Sequence, residues 1–153
     1  MIRQKLADAL KQAIRARSEL ATATIRMINA AIKQKDIDAA RPRGDEHIGE
    51  DEVLNLLQSL IKSRRESIAL YKQGKRQDLV EKEEAEIAII EQFLPEPLSG
   101  EETEAAVRAL ISQAGASGMK DMGKVMAALK SKYAGRLDMT KAGAAVKRLL
   151  AGS

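Results

Sequence analysis

Apolar side chains repeat every three or four positions along the first part of the chain, which is the spacing of α-helices rather than strands. A second helix is expected after Ser18, whose hydroxyl can cap a helix N-terminus, and this helix is expected to run to about Ala39. The stripe that precedes Ser18 contains Ile2, Leu6, Leu10 and Ile14. The pattern therefore predicts two successive helices at the start of the chain.

Two further helices are predicted after a charged loop over residues 41–49. Acidic residues from Glu50 favour the start of the third helix, and Gly74 is expected to end it. Asp78 is expected to cap the fourth helix. Pro95 and Pro97 then stop that helix, because proline cannot donate a backbone hydrogen bond.

Shorter elements follow the prolines. Ser99 and Glu102 have the spacing of a capping box, and a further helix is expected from about Asp121 to Tyr133. A last apolar face covers residues 145–150. The pattern predicts an all-α fold, with a four-helix N-terminal body over residues 1–96 and a small three-helix C-terminal domain over residues 97–153.

Composition narrows the possible chemistry. With only 2% aromatic residues, the chain has too few rings for a base-stacking surface. It contains no cysteine, which excludes thiol nucleophiles, and its one histidine, His47, cannot build a zinc site alone. We therefore expect no metal and no cofactor. No segment approaches the roughly 20 apolar residues that cross a bilayer, so no membrane partner is expected either.

The N-terminus is basic and amphipathic, somewhat like a mitochondrial transit peptide. It carries Asp8, however, and runs directly into a further helical pattern. We therefore interpret it as the first structural helix, and a cytoplasmic location is the default prediction.

Charge is distributed unevenly along the chain. Residues 1–97 carry 17 basic and 17 acidic side chains, whereas residues 105–153 carry nine basic and two acidic ones, a net charge of +7. Basic clusters attract polyanions through Coulomb forces and counterion release. Nucleic acid is therefore a candidate partner of the C-terminal part, although a solvated lysine-rich surface would have the same composition.

The reactive groups of common enzymes are missing. No phosphate-binding glycine motif of the GxxxxGK[ST] or GxGxxG type occurs, and His47 lies in a loop expected to be exposed. The carboxylates at residues 83, 84 and 86 share a helix with basic neighbours, which favours a solvated or ion-paired helical face over acid–base catalysis. Five residues could form an ion-pair network between helices, or could instead extend into solvent. They are Arg26, Arg64, Arg65, Glu84 and Glu86.

A helix start near residue 121 is the best candidate binding site. Lys120 and Lys124 flank Gly123, and the free N–H groups of a helix N-terminus suit a phosphate oxygen. Gly123 would let a ligand approach the backbone, or would merely permit close helix packing. Further basic side chains extend the positive charge: Lys130, Arg136 and Lys141.

Several long blocks of the sequence resemble the YqeY family. The first is YKQGKRQDLVEKEEAEIAIIEQFLPEPLS from residue 71, with a Gly-Arg-x-Asp-Leu turn that departs from the family pattern by Lys75 between Gly74 and Arg76. The blocks TIRMINAAIKQKDID and LIKSRRESIALY are similar to earlier helices of the family. The segments GASGMKDMGKVM and AGRLD resemble the tail that the family shares with the B subunit of glutamyl- and aspartyl-tRNA amidotransferase.

The resemblance implies an all-helical protein whose tail domain binds tRNA. The leading hypothesis is an accessory protein that contacts tRNA through Lys120, Gly123 and Lys124, without a catalytic site of its own. One alternative is an adaptor for an amidotransferase or an aminoacyl-tRNA synthetase. A third, taken from the family label, is carbon–nitrogen ligase activity with glutamine as amide donor, although no serine–lysine glutaminase segment occurs.

Overall fold

The computed structural model describes residues 1–152, and these residues form seven α-helices and no β-strand. The helices are α1 (Ile2–Arg15), α2 (Glu19–Lys35), α3 (Glu50–Gln73), α4 (Gln77–Glu91), α5 (Gly100–Ala114), α6 (Met122–Lys132) and α7 (Met139–Ala151). The predicted all-α class is confirmed.

The chain divides into two compact units. Unit 1 (Met1–Leu94) contains α1 to α4, and unit 2, from Pro95 onward, contains α5 to α7. The sequence prediction had placed the boundary at residues 96 and 97, beside the same two prolines. Each unit has its own buried apolar cluster.

In unit 1, α3 packs mainly on α4, and α2 packs on both α1 and α4. The apolar stripes of the four helices face this core, because residues three and four apart share one side of a helix. Ile14 is the exception in the predicted stripe of α1, since it lies in the last turn of that helix and is 50% exposed. The least exposed large side chains of this core are Leu6, Ile28, Val53, Leu57, Val80 and Ile90.

In unit 2, α5, α6 and α7 each pack on the other two. Helix α5 buries Val107 and Leu110, and α6 buries Val125 and Leu129. Helix α7 adds Val146 and Leu150, and Leu137 from the α6–α7 connection completes the cluster. Burial on this scale stabilises a small unit by roughly 1.5–3 kcal/mol for each large apolar side chain.

The predicted helix caps have different outcomes. Ser18 caps α2 by accepting a hydrogen bond from the Ala21 N–H, and Ser99 and Glu102 form the expected capping box at the start of α5. The prediction that Asp78 caps α4 is wrong. Helix α4 begins one residue earlier, at Gln77, and the Asp78 carboxylate accepts hydrogen bonds from the guanidinium of Arg76 instead.

Helix α3 ends at Gly74 as predicted, but the next residue makes the turn. Lys75 has a left-handed backbone with φ of 56°, and its N–H donates to the carbonyl of Lys72. The N–H of Arg76 then donates to the carbonyl of Tyr71. A lysine therefore occupies a helix-ending position that glycine usually fills.

Helix α2 does not continue regularly to Ala39. It ends at Lys35 and is followed by a π-helical turn over Asp36–Ala40 and a 3₁₀ turn over Arg41–Arg43. Gly44 closes this segment with a left-handed backbone, φ 89°. The physical reason lies in Asp36, whose buried carboxylate is bound by groups from two other segments, as described below.

Across residues 1–152, no helix is both long and apolar enough for a membrane span. In the same residues, no three or more histidine, aspartate or glutamate side chains are grouped so as to hold a metal ion.

Candidate nucleic-acid interface

The candidate interface in unit 2 begins with the turn before α6. Gly118 is extended, and a 3₁₀ turn over Met119–Asp121 leads directly into the helix. The carboxylate of Asp121 accepts a hydrogen bond of 3.1 Å from the N–H of Ser117, which fixes the turn. The side chains of Lys120 and Lys124 are exposed on either side of the helix start.

Gly123 lies in the first turn of α6 and is itself exposed. A Cβ atom built on Gly123 would meet no atom within 4 Å, and its backbone does not adopt a positive φ. The glycine is therefore required neither for helix packing nor for backbone conformation. The alternative that Gly123 permits close helix packing is wrong, and its backbone is uncovered.

The solvent face of α6 continues from this glycine. Gly123, Ala127 and Ser131 recur every four residues and are all exposed, so they form one line along the helix. At about 100° per residue, Lys124 and Lys130 lie about 60° to either side of Ala127. The exposed face of α6 therefore has a line of small side chains along its middle, with a lysine on each side of that line.

Lys124 also lies close to the end of the preceding helix. Its Nζ atom donates to the carbonyl of Ala114, the last residue of α5, over 3.5 Å. The carbonyl end of a helix carries partial negative charge and attracts a cation. The contact is long and exposed, so it orients the ammonium group without burying it.

Arg136 also forms hydrogen bonds within unit 2. It is half-buried, its Nε donates to the carbonyl of Glu96 over 2.9 Å, and its own carbonyl accepts from the N–H of Leu98. Arg136 therefore holds the first residues of unit 2 against the α6–α7 connection. Arg136 remains a predicted contributor to the positive charge of unit 2, with its Nε already bound to the carbonyl of Glu96.

Lys141 lies in the first turn of α7, where its backbone N–H donates to the capping carboxylate of Asp138. Its side chain is exposed and forms no ion pair within the described part of the chain. Lys141 therefore remains available to a ligand, but on a different helix from Lys124.

Some of the positive charge in unit 2 is neutralised locally. Arg108 and Arg148 both pair with Glu104, over 3.0 and 3.1 Å. Hydrogen bonds from Arg108 and then Arg148 lower the pKa of Glu104. By contrast, the side chains of Lys120 and Lys130 are exposed and form no ion pair among residues 1–152.

The ion-pair network in unit 1 joins α3 to α4 and is centred on Arg64. The Nε of Arg64 lies 2.8 Å from Glu86 and 3.8 Å from Glu83, and all three side chains are largely buried. The guanidinium also donates to the carbonyl of Leu60. These carboxylates therefore balance a cation and fix helix register, which is not an arrangement for acid–base catalysis.

Two of the predicted network members lie outside it. Arg26 and Glu84 are exposed and form no ion pair with any described residue. Arg65 pairs instead with Glu91 at 3.5 Å, and both of these side chains are exposed. Glu83 was not assigned to the predicted network, although its spacing of three from Glu86 places both on one face of α4.

A second buried ion pair in unit 1 was not predicted. Asp36 is only 6% exposed and accepts two hydrogen bonds from the guanidinium of Arg3, at 2.8 and 3.1 Å. It also accepts from the backbone N–H of Ile48 and lies 3.4 Å from Nδ1 of His47. The hydrogen bonds from Arg3 are the main cause that lowers the pKa of Asp36 to about 2.

Fold and site together define a class: a small all-helical protein with a charge-balanced first unit and a basic second unit. The sequence matches the family of YqeY-like proteins over residues 3–150, and the chain therefore belongs to this family.

Curated relatives include fungal proteins named altered inheritance of mitochondria protein 41, mitochondrial. The one from Lachancea thermotolerans is 39% identical over 106 residues, which cover 68% of this chain and 54% of the relative. The one from Kluyveromyces lactis is 39% identical over 88 residues, covering 58% of this chain and 45% of the relative. The chain spans about half the length of these relatives.

These names contradict one prediction. The relatives are named as mitochondrial proteins, so the expected cytoplasmic location is wrong. The basic, amphipathic N-terminus is nevertheless the structural helix α1, with Ile2, Leu6 and Ala13 buried in the core of unit 1.

Proposed function

We propose that this protein is a tRNA-binding accessory protein that contacts the phosphate backbone through the exposed face of α6. The observation that carries this proposal is the uncovered backbone at Gly123, flanked by the exposed cations Lys120 and Lys124. A phosphate oxygen can reach such a backbone because no side chain stands in front of it. The N–H groups of Asp121 and Met122 already donate to the carbonyls of Gly118 and Met119, so these two are not among the free donors of the helix start.

Charge supports the same ligand. Residues 105–153 carry a net charge of +7, and most of their lysines have no acidic partner. The line of small residues between Lys124 and Lys130 would let a rounded polyanion lie close to the helix while both ammonium groups reach phosphates. The resemblance of this segment to the tRNA-contacting amidotransferase tail favours tRNA over other nucleic acids as the ligand.

Salt dependence of tRNA binding tests this proposal. A footprint of about four phosphates should give a log–log slope of binding against salt of roughly −3 to −4. Lys124→Glu should weaken binding strongly, whereas Lys11→Glu, the same charge change at an exposed position of α1, should leave it nearly unchanged. Salt-insensitive binding, or none at low salt, would contradict the proposal.

Gly123→Gln separates backbone access from charge. Glutamine is a better helix former than glycine and nothing lies near the new Cβ, so thermal stability should stay the same or rise. The longer side chain would nevertheless cover the backbone and weaken tRNA binding. Unchanged binding by this variant would remove Gly123 from the site.

A second candidate function is an adaptor for an amidotransferase or an aminoacyl-tRNA synthetase. It is favoured by the α1–α2 turn, where Ile14 is 50% exposed and lines a groove of about 400 Å³ together with Arg17 and Arg26. A complex with either enzyme that survives nuclease treatment and is lost in Ile14→Ser would support it. Loss of the complex on nuclease treatment would instead favour tRNA binding.

A further inference from the structure

A cavity of about 390 Å³ lies in unit 1, far along the sequence from the candidate interface. It is bounded by the N-terminus of α1, the last turns of α2 and the segment that follows them. Its lining side chains are Arg3, Asn29, Ile32, Lys33, Asp36, Arg41, Glu46 and His47. The volume falls within the range of about 300–1,000 Å³ that is typical of small-molecule sites.

One wall of this cavity is held rigidly. Asp36 is bound by Arg3 of α1 and by the N–H of Ile48, and it begins the π-helical turn that ends α2. Insertions of this kind in helices are rare and occur frequently at functional sites. Both Asp36 oxygens accept hydrogen bonds from Arg3, so the charge of this carboxylate is already balanced by a cation.

The opposite charges of Arg3 and Asp36 cancel, and the remaining lining groups are net positive. Lys33 and Arg41 contribute two cations against the single carboxylate of Glu46. Neither Lys33 nor Arg41 forms an ion pair or a side-chain hydrogen bond with any described residue. Two cations that share one cavity repel each other, and an anion placed between them relieves that repulsion.

We propose that this cavity binds the phosphate group of a small phosphorylated molecule, about the size of a nucleoside monophosphate, through Lys33 and Arg41. A phosphate monoester carries nearly two negative charges at neutral pH, which matches two cations better than a carboxylate does. The cavity is larger than a phosphate group, so the rest of the molecule would lie against Ile32 and the amide of Asn29. This site is independent of the tRNA contact proposed for unit 2.

Amide chemical shifts of the full chain, titrated with adenosine monophosphate, inorganic phosphate and adenosine in separate samples, test the proposal. We expect saturable shifts near Lys33 and Arg41 with the monophosphate, weaker shifts with phosphate, and none with the nucleoside. Lys33→Gln or Arg41→Gln should weaken binding roughly tenfold or more, since a charge-assisted hydrogen bond is lost.

Lys35→Gln is the matched control, because Lys35 is an exposed lysine on the same helix that does not line the cavity. It should bind the monophosphate as the unmodified chain does, and thermal unfolding should show that all three variants fold. Equal weakening by Lys35→Gln, equal shifts with adenosine, or no saturable shift would overturn the proposal. Shifts caused only by RNA with a 5′-phosphate would likewise reject a small-molecule site.

Discussion

The two units use their charged side chains in different ways. In unit 1, 17 basic and 16 acidic side chains nearly balance, and the least exposed of them join different elements of the unit: Arg3 with Asp36, and Arg64 with Glu86. In unit 2, most lysines face solvent and Glu104 is the main local partner for cations. Buried ion pairs thus connect packed elements in unit 1, whereas the lysines of unit 2 are exposed, which is where the proposed tRNA contact would use them.

The largest expected effect comes from the core of unit 2. Leu129→Ala removes a fully buried side chain and should cost about 2–5 kcal/mol, enough to unfold a small unit. Hydrogen exchange of α5–α7 should then lose protection, and tRNA binding should disappear with it. Ala127→Ser, on the exposed face of the same helix, is the control and should change stability by about 0.5 kcal/mol or less.

Breaking the Arg3–Asp36 pair tests the role of charge in unit 1. Arg3→Met leaves a buried carboxylate without its cation and should destabilise unit 1 by about 1–3 kcal/mol, a value reduced because Arg3 is 40% exposed. Urea unfolding measures the loss. Arg15→Met, at an exposed position of α1 without an ion pair, should cost much less; equal losses would contradict the interpretation.

The same pair should make stability depend on pH. The pKa of Asp36 falls from 3.8 to about 2 on folding, so the folded state favours the ionised carboxylate. This contribution, about 1–2 kcal/mol with allowance for solvent screening, is present above pH ~4 and is lost as pH falls toward 2. In Asp36→Asn, the free energy of unfolding should fall less between pH ~4 and pH ~2 than it does in the unmodified protein. An equal fall in both proteins would exclude Asp36 as the source of the pH dependence.

A smaller effect distinguishes two neighbouring glutamates of α4. Glu86→Gln removes the 2.8 Å partner of Arg64 and should cost about 1–2 kcal/mol, because both side chains are largely buried. Glu84→Gln changes an exposed, unpaired carboxylate and should stay within about 0.5 kcal/mol. Similar losses in thermal unfolding for the two variants would show that the network does not depend on Glu86.

The helices could be predicted from the sequence because their apolar spacing, Ser18, the Ser99–Glu102 pair and Gly74 are local signals. The π-helical turn could not, since it depends on Asp36 meeting Arg3, a residue 33 positions away. The expected cap at Asp78 failed for a local reason: Arg76, two residues earlier, binds its carboxylate. Local patterns give helix positions, whereas the partner of a charged side chain is decided by tertiary packing.

The candidate interface was predictable in part. Exposed lysines around Gly123 follow from the sequence, but the open space at that glycine and the flanking positions of Lys124 and Lys130 on α6 required the buried face of the helix to be known. Arg136 illustrates the limit, because its bond to the carbonyl of Glu96 spans 40 residues and has no sequence signal.

The salt dependence of tRNA binding by the double variant Lys120→Gln/Lys124→Gln tests the central claim most directly. If these two ammonium groups contact phosphates, the log–log slope should become less steep by about 1.5–2 relative to the unmodified protein, because two fewer counterions are released. The control variant Lys11→Gln, which removes one charge from an exposed position of α1, should keep the original slope. A slope that is the same in the double variant as in the unmodified protein would contradict the assignment of this face of α6 to tRNA.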